Sequence, residues 1–568
     1  MKYRWSHLTP DPEVVAALRR ELGVTDLVAG LLVNRGIVEP QTARRFLQPD
    51  FSDLHDPRLM KDMEPATARI FQAVENQEPI LIYGDYDVDG ITSTVVLKRA
   101  LEMLGGQVRY HIPKRLEDGY GLKPEVLRQA AASGVGLVIS VDSGIRDFPA
   151  CECARELGLD LIVTDHHLPG DRLPPALAIL NPKRPDCPYP DKDLAAVGVV
   201  MKLVQALFQA KGRAAALPHF LKVVAIGTVA DMVPLTGENR IFVKLGLSTL
   251  SHARNLGLQA LLAGAGVSER IDHYDVGFRL APRINAFTRM GGGSEIVDLF
   301  SVDDPQTAGA IVQEMNRLNL LRREEEDRIL AEIETIASAD RQHFTRPFLL
   351  VWGQGWHRGV IGNVAARLVQ RYYRPTLVLS LGEDGAQGSG RSIPGFHLVE
   401  ALESCAEFFD RFGGHAQAAG CTLSMEATAP EKLSALADRL AEFAAARLAP
   451  EDLTPVLKVD AVLPLEGLSP AVCREIEQLA PYGIANPVPL FSARSAVQSG
   501  PWILKERHLK FQPKANGTPL DVIWWQHAAA ASRLSAGAAF HMVYSLSLES
   551  YQGQERLLAT VRDLRTEG

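Results

Sequence analysis

The chain has 568 residues, too many for one compact core, so three or more domains are expected. Its composition is 46% hydrophobic and 23% charged, and its six cysteines form no CxxC pair, which excludes a zinc knuckle or a disulfide framework and fits a reducing, cytoplasmic setting. A net charge of -8 argues against a protein that coats nucleic acid, yet permits a local basic groove, because a carboxylate-rich metal site brings negative charge of its own.

The N-terminus, MKYRWSHLTPDPEVV, lacks a signal-peptide core, and no later segment approaches the ~20 apolar residues that span a bilayer, so no membrane partner is expected. Residues 1–50 alternate short helical patterns with prolines and suggest an N-terminal helical cap on the domain that follows. Residues 51–300 carry a strand–helix rhythm: ILIY (80–83), 108–112, LVISV (137–141), LIVT (161–164) and 178–180 are short apolar strands. The helical stretch ITSTVVLKRALEMLG comes after the first of them, and helical patterns separate most of the others. This alternation predicts a parallel sheet covered on both faces.

Residues 301–340 read as one long charged connecting helix with a single apolar stripe. A second α/β domain over 341–450 begins at FLLVW and continues through the helix VIGNVAARLVQRYY, the strand TLVLS and an Ala/Leu-rich helix near 429–448. From 451 to 568 the pattern turns to short strands, LKFQ, DVIWW, HMVYSLSL and LLATV, which predict a small OB-like β-barrel.

The acids fall where a parallel sheet would gather them. Asp85, Asp87 and Asp89 in GDYDVDG follow the first strand, Asp142 follows LVISV, Asp165-His166-His167 follow LIVT, and Asp231 follows the apolar run VVAIGTVA, read as a strand. Loops at the carboxyl ends of parallel strands converge on one crevice. Any one Asp-rich turn is ordinary turn chemistry; four that converge would repel one another unless cations neutralise them. Carboxylates mixed with imidazole suit two divalent ions, Mn2+ first and Mg2+ as substitute. Such a pair acidifies a water and neutralises charge developing on a phosphoryl group, the chemistry of phosphate-ester hydrolysis.

GDYDVDG, VDSG, DHH at 165–167 and GTVADMVPL, taken in order, resemble the motifs of the DHH phosphoesterase superfamily, and RFGGHAQAAG (411–420) resembles the signature of its DHHA1 domain. APRINAFTRMGG, GWHRGVIG, GSGRSIPGFHL and APYGIANPVPLF extend the likeness, from about residue 50 to the end, to the bacterial single-strand-specific exonucleases of that superfamily. The resemblance implies that Asp87, Asp89, Asp142, His166 and Asp231 hold the metals, with Asp142 bridging and Asp85 supporting the more exposed ion. It implies that His167 faces the scissile phosphate and that Asp165 orients it. One departure is visible: Phe287-Thr288 stand before Arg289 where small residues are usual.

For a polymeric substrate, Arg279, Arg283, Asn285 and Arg289 are candidate contacts in the first domain. Ser389, Arg391, Ser392 and a glycine-rich loop at Gly413-Gly414-His415 are candidates in the second. In the barrel, Trp502, Lys505, Arg507, His508, Lys510 and Phe511 interleave bases and aromatics, as modules that stack unpaired bases do, although the aromatics could equally be core.

The expected function is a single-stranded-DNA-specific exonuclease that hydrolyses phosphodiester bonds. Its 5′-to-3′ direction, release of 5′-mononucleotides and role in DNA repair and recombination come from the resemblance. Single-stranded DNA is the expected partner, with a helicase and a single-strand-binding protein beside it, and the chain is expected to be a monomer. The alternatives are a DHH/DHHA1 oligoribonuclease or nucleotide phosphatase, against which the barrel argues, and an inactive DNA-binding scaffold, against which the full set of acids argues.

Overall fold

Three short helices, α1 (Pro12–Leu22), α2 (Asp26–Val33) and α3 (Pro40–Leu47), begin where side chains or prolines permit a start. Asp11 and Thr25 accept backbone N–H groups at the first turns of α1 and α2, and Pro40 opens α3. The computed structural model describes residues 3–114, 118–267, 270–514, 520–551 and 554–566. It divides into two compact units, residues 7–315 with 458–568, and residues 1–6 with 316–457.

In the first unit, α4 (Met63–Glu75) precedes β1 (Pro79–Tyr83), α5 (Val88–Met103) and β2 (Gln107–His111). Then come α6 (Pro124–Ala132), β3 (Leu137–Val141), α7 (Phe148–Glu156), β4 (Asp160–Thr164) and β5 (Ala178–Leu180). The sheet order is β2-β1-β3-β4-β5, and every pairing is parallel. Alternation within each strand feeds two cores. Ile80, Ile82, Leu137, Ile139 and Ile162 pack with Val96, Leu97 and Val200, whereas Leu81, Tyr83, Val138, Leu161 and Val163 pack with Leu127, Cys151 and Ala154.

Three helices complete this region: α8 (Ala196–Ala210), α9 (Leu221–Ala230) and α10 (Gly237–Leu250). The run before Asp231 is therefore the helix α9, not a strand. Its ten residues are long enough for nearly three turns and most are buried, a case in which periodicity cannot separate a buried helix from a buried strand. A methyl at Gly227 would come within 2.1 Å of the Thr92 hydroxyl, so only glycine lets α9 cross α5 this closely. APRINAFTR is likewise helical, α11 (Ala281–Arg289), and the unusual Phe287 and Thr288 are buried inside it.

The connecting helix α12 (Pro305–Ala339) leads into the second unit. There β6 (Leu349–Gln354), α13 (Ile361–Tyr372), β7 (Thr376–Gly382), β8 (Gly385–Arg391), β9 (Arg411–Gly414), β10 (Ala418–Leu423) and α14 (Pro430–Ala445) form a sheet with helices. The order is β9-β10-β8-β7-β6, and only β6–β7 is parallel. Within this unit Trp356 Nε1 donates to Glu332 of α12 at 2.8 Å, and Arg367 pairs with Glu326 at 3.0 Å. Gly413 and Gly414 belong to the edge strand β9 and are not a loop, because Gly413 and Gly414 pair with Gly420 and Ala419 of β10.

The C-terminal segment returns to the first unit. It contains β11 (Ala461–Val462), α15 (Pro470–Glu477), β12 (Phe491–Leu504), β13 (His508–Pro513), β14 (Leu520–Trp524), β15 (Ala539–Tyr551) and β16 (Gln554–Thr566). Strands β12-β13-β14-β16-β15 close into a barrel through the β12–β15 pairing, and β14–β16 is the parallel contact. Leu18, Val28, Leu32 and Phe46 of α1–α3 share one core with Phe491, Phe511 and Phe540 of the barrel. The N-terminal helices thus cover the C-terminal barrel with their apolar face and not, as the sequence suggests, the domain that follows them; an apolar stripe tells which face is buried, not which distant element buries it. No helix among the described residues is long and apolar enough to cross a membrane.

Candidate metal centre

Each acid arrives at the carboxyl edge of the parallel sheet by a different local device. Asp87 caps α5, accepting the Asp89 and Gly90 N–H groups at 2.9 and 3.1 Å. A methyl at Gly90 would lie 2.6 Å from the Asp85 carbonyl, so glycine is what lets this helix start fold back over Asp85. Asp142 has φ +62, a left-handed conformation costly for a non-glycine residue, and its N–H still donates to Thr164 O at 3.0 Å. Asp231 ends α9.

These residues meet. Donor atoms of Asp85, Asp87 and Asp142 lie within 4.8 Å of one another, as do those of Asp89, His166 and Asp231, and those of Asp142, His166 and His167. His166 Nε2 lies 3.4 Å from Asp142 Oδ1, which joins the first two groups. His166 Nδ1 donates to Leu194 O at 3.2 Å, which leaves the Nε2 lone pair as the ligating one. Asp89 accepts the Ala196 and Val197 N–H groups at 2.7 and 2.8 Å from the start of α8.

Asp165 is not in these ligand groups; it organises the loop. One oxygen accepts His167 Nδ1–H at 2.7 Å and the His166 and His167 N–H groups, and the other accepts the Ile145 N–H. With Nδ1 engaged, Nε2 is the atom with which His167 could meet a phosphoryl group.

The electrostatics favour a cation or bound protons. Burial, then the charges of Asp87, Asp89, Asp85 and Asp231, push the Asp142 carboxyl well above the usual range. Burial, then Asp89 and Asp87, do the same to Asp231, and burial with Asp87 takes Asp89 up to about 7. Burial and the adjacent His167 hold His166 down to about 3, so it is the neutral, ligating imidazole. For Asp165 burial pushes upward, but the hydrogen bond and charge of His167 prevail and bring it to about 2. Asp142 Oδ1 and Asp231 Oδ2 are buried without a hydrogen-bond partner. A set of carboxylates, one imidazole and no thiolate, with orphaned buried oxygens aimed inward, fits Mn2+ or Mg2+.

Sequence reasoning missed Tyr120. Its hydroxyl donates to Asp142 O at 3.2 Å and lies 3.3 Å from His167 Nδ1. Its signal was the flanking pair Gly119 (φ +70) and Gly121 (φ +86), which give the turn the backbone freedom to present the ring.

Beyond the metals, the candidates divide. In the first unit Arg279 pairs with Asp275 at 3.1 Å, Arg283 donates to Arg279 O at 2.6 Å, and Asn285 and Arg289 lie on the same helix α11. In the second unit Arg391 donates to Ser389 Oγ at 3.3 Å, and both would be within 3.2 Å of a methyl at Gly362, in the first turn of α13. Ser392 departs from expectation as a contact: it is buried, and its hydroxyl donates to Phe396 O at 2.9 Å. His415 follows β9, with its N–H on Ala418 O.

In the barrel, Trp502 is exposed at the end of β12, and Lys505 and Arg507 lie in the turn to β13. Lys510 pairs with Asp521 at 2.8 Å, and Phe511 is fully buried core, so neither is presented as a bare contact. Of the adjacent tryptophans, Trp524 is buried and Trp525 exposed.

Comparison with known proteins gives three family matches: the DHH family, N-terminal domain over 79–228, the DHHA1 domain over 345–446, and the RecJ OB domain over 459–563. A Bacillus subtilis protein, "Single-stranded-DNA-specific exonuclease RecJ", is 38% identical over 571 residues, 99% of this chain and 71% of the relative. The structure of RecJ from Thermus thermophilus in complex with Mn2+ matches with a TM-score of 0.84 at 30% identity, over 99% of this chain and 79% of that one. The structure of RecJ from the same organism with Mg2+ matches with a TM-score of 0.77 at 28% identity, over 99% and 78%.

Proposed function

Because this chain belongs to the RecJ family of DHH phosphoesterases, we propose that it is a metal-dependent exonuclease specific for single-stranded DNA, running 5′ to 3′ and releasing 5′-mononucleotides in DNA repair and recombination. The observation that carries this reading is the convergence of Asp85, Asp87 and Asp142, and of Asp89, His166 and Asp231, with two buried carboxylate oxygens left without a hydrogen-bond partner. Two divalent cations, Mn2+ or Mg2+, would acidify the attacking water and neutralise charge on the scissile phosphate.

The chain's own residues supply the rest. Asp142 belongs to the Asp85–Asp87 group and its Oδ1 lies 3.4 Å from His166 of the other, so its carboxylate could serve both. Leu194 O holds the His166 tautomer, and Asp165 holds that of His167, whose Nε2 can stabilise the phosphoryl oxygens or protonate the leaving group. Arg279, Arg283, Asn285 and Arg289 would hold the strand near the reaction. Ser389, Arg391, Gly413, Gly414 and His415 would receive phosphates in the DHHA1 region, and Trp502, Lys505 and Arg507 would serve the barrel's grip on unpaired bases, with Lys510 available only if it leaves Asp521. The six cysteines form no disulfide, which suits a cytoplasmic monomer that takes strands opened by a helicase or covered by a single-strand-binding protein.

The test is digestion of a long end-labelled single strand with and without Mn2+, beside a dinucleotide. Metal-dependent shortening from the 5′ end to mononucleotides is expected; cleavage of the dinucleotide alone would make the protein an oligoribonuclease-like enzyme.

A further inference from the structure

Asn239 lies in the first turn of α10 and is fully buried. Its amide nitrogen donates to Asp193 O at 2.6 Å and to Pro234 O at 3.1 Å, and its amide oxygen accepts the Ala195 N–H at 3.3 Å. One side chain therefore pins two segments together, residues 193–195 and the turn that comes after Asp231.

The first of these segments, with the start of α8, also holds two ligands of the metal centre. Leu194 O takes the His166 Nδ1–H, and the Ala196 and Val197 N–H groups hold both oxygens of Asp89. Pro234 stands three residues after Asp231 in a turn that begins with Met232 at φ +61. Asp89, His166 and Asp231 are the members of one of the three groups whose donors converge within 4.8 Å.

We propose that Asn239 is a positioning residue for the cation held by Asp89, His166 and Asp231, setting the separation of the two backbone segments that aim all three ligands. The proposal rests on the cation reading of the preceding subsection. Its basis is geometry: losing the amide frees Asp193 and Pro234 to part, and a displacement of a few tenths of an ångström at each ligand is enough to weaken a site with demanding coordination distances. The Asp85–Asp87–Asp142 group does not pass through Asn239, so the two cations should respond unequally.

The experiment is a Mn2+ titration of the full-length protein, with free ion read by electron paramagnetic resonance and thermal unfolding tracked in parallel. Asn239→Leu removes all three hydrogen bonds. Asn239→Asp keeps the shape and the acceptor but sets a carboxylate against two carbonyls. Glu238→Gln, one residue away, is the control for stability alone, because Glu238 pairs with buried Lys202 at 2.8 Å and bonds Tyr189, away from the ligands.

Both Asn239 variants should weaken one of two bound ions by about 10–100-fold and leave the other within about threefold. Glu238→Gln should lower the unfolding temperature and shift neither ion. Unchanged affinities in both Asn239 variants, loss of cooperative unfolding in both, or equal weakening in Glu238→Gln would overturn the proposal. An unmodified protein that binds no Mn2+ would instead overturn the cation reading beneath it.

Discussion

Asp165 and His167 are joined by a 2.7 Å hydrogen bond from the imidazole Nδ1 to a carboxylate oxygen that also accepts two backbone N–H groups. That carboxylate is fully buried and held at about 2, so it remains ionised through the physiological range and fixes which nitrogen of His167 carries the proton. Asp165→Asn can present its amide to Nδ1 and reverse the tautomer. The expected outcome is a fall in kcat of about 10²–10⁴-fold with Mn2+ affinity within about threefold of the parent. Single-turnover digestion and a Mn2+ titration read the two quantities separately, and equal losses in both would reassign Asp165 to metal binding.

Asp142 joins the two ligand groups, so its removal should be more damaging than that of any single-site ligand. Asp142→Ala is expected to lose at least about 10³-fold in rate in Mn2+. Without metal the sign reverses. The buried, unbonded Oδ1 is crowded by other acids, and Asp142→Asn should raise the apo unfolding temperature by the few degrees that about 0.5–2 kcal/mol provides. An Asp142→Asn protein that is less stable than the parent without metal would contradict the crowding argument.

The raised carboxyls predict how pH acts on the apo fold. Asp142 and Asp231 sit well above the ordinary range and Asp89 at about 7, whereas in the unfolded chain each would ionise near 4. A folded value above the unfolded one means that the folded state binds more protons between the two, so stability is fully present below about 4 and is lost as pH rises through the raised values. Metal-free protein should therefore unfold at a lower temperature at pH 8 than at pH 6. Mn2+ should displace protons, and at saturation should raise the unfolding temperature more at pH 8. Differential scanning fluorimetry at both pH values, with proton release measured in buffers of different ionisation enthalpy, checks this; an equal metal effect at both would count against it.

Most of this centre was legible in the sequence because its chemistry obeys a strand-end pattern. Asp85, Asp87, Asp89, Asp142 and Asp165–His167 each come after a short apolar strand buried along its length, and the strand–helix rhythm placed them at one edge. Asp231 lies beside them although the run before it is a helix and not a strand, because a largely buried run of ten residues shows neither period clearly. Asn239 and Tyr120 were harder to find for another reason. They act through hydrogen bonds to the backbone of segments distant in sequence, and although Gly119 and Gly121 mark the turn that carries Tyr120, no local spacing names its partner. The co-packing of Phe46 with the barrel was hidden in the same way.

The shared core also changes how the barrel can be tested. Deleting the chain after about residue 453 would strip cover from Leu18, Val28 and Phe46, so surface substitutions are the informative ones. Trp502→Ala with Lys505→Ala and Arg507→Ala should weaken binding to a long single strand while leaving cleavage of very short substrates within about threefold. Losing two cationic contacts should flatten the dependence of log affinity on log salt by about 1.4. Filter binding across a salt series measures this, and an unchanged slope would remove Lys505 and Arg507 from the backbone contact.

Arg240 predicts the cost of separating the barrel from the catalytic sheet. Its guanidinium is 2% exposed, stacks over the Phe46 ring at 3.5 Å, and donates to Phe46 O, Leu479 O, Ala480 O and Pro481 O at 2.7–3.2 Å. Burial takes its pKa down to about 9, which shows that desolvation is severe and that carbonyls, not a carboxylate, compensate for it. Arg240→Met fills much of the volume but leaves four carbonyls without this donor, at about 1–3 kcal/mol for each that water cannot reach. The expected result is a destabilisation of at least about 3 kcal/mol by urea denaturation. Early exposure of Trp524, buried in the core that Phe46 shares, should accompany it, because the joint that fails is the one between α3, α10 and the segment after α15. A variant that unfolds at the parent midpoint with unchanged tryptophan emission would mean that this joint is held by the apolar core alone.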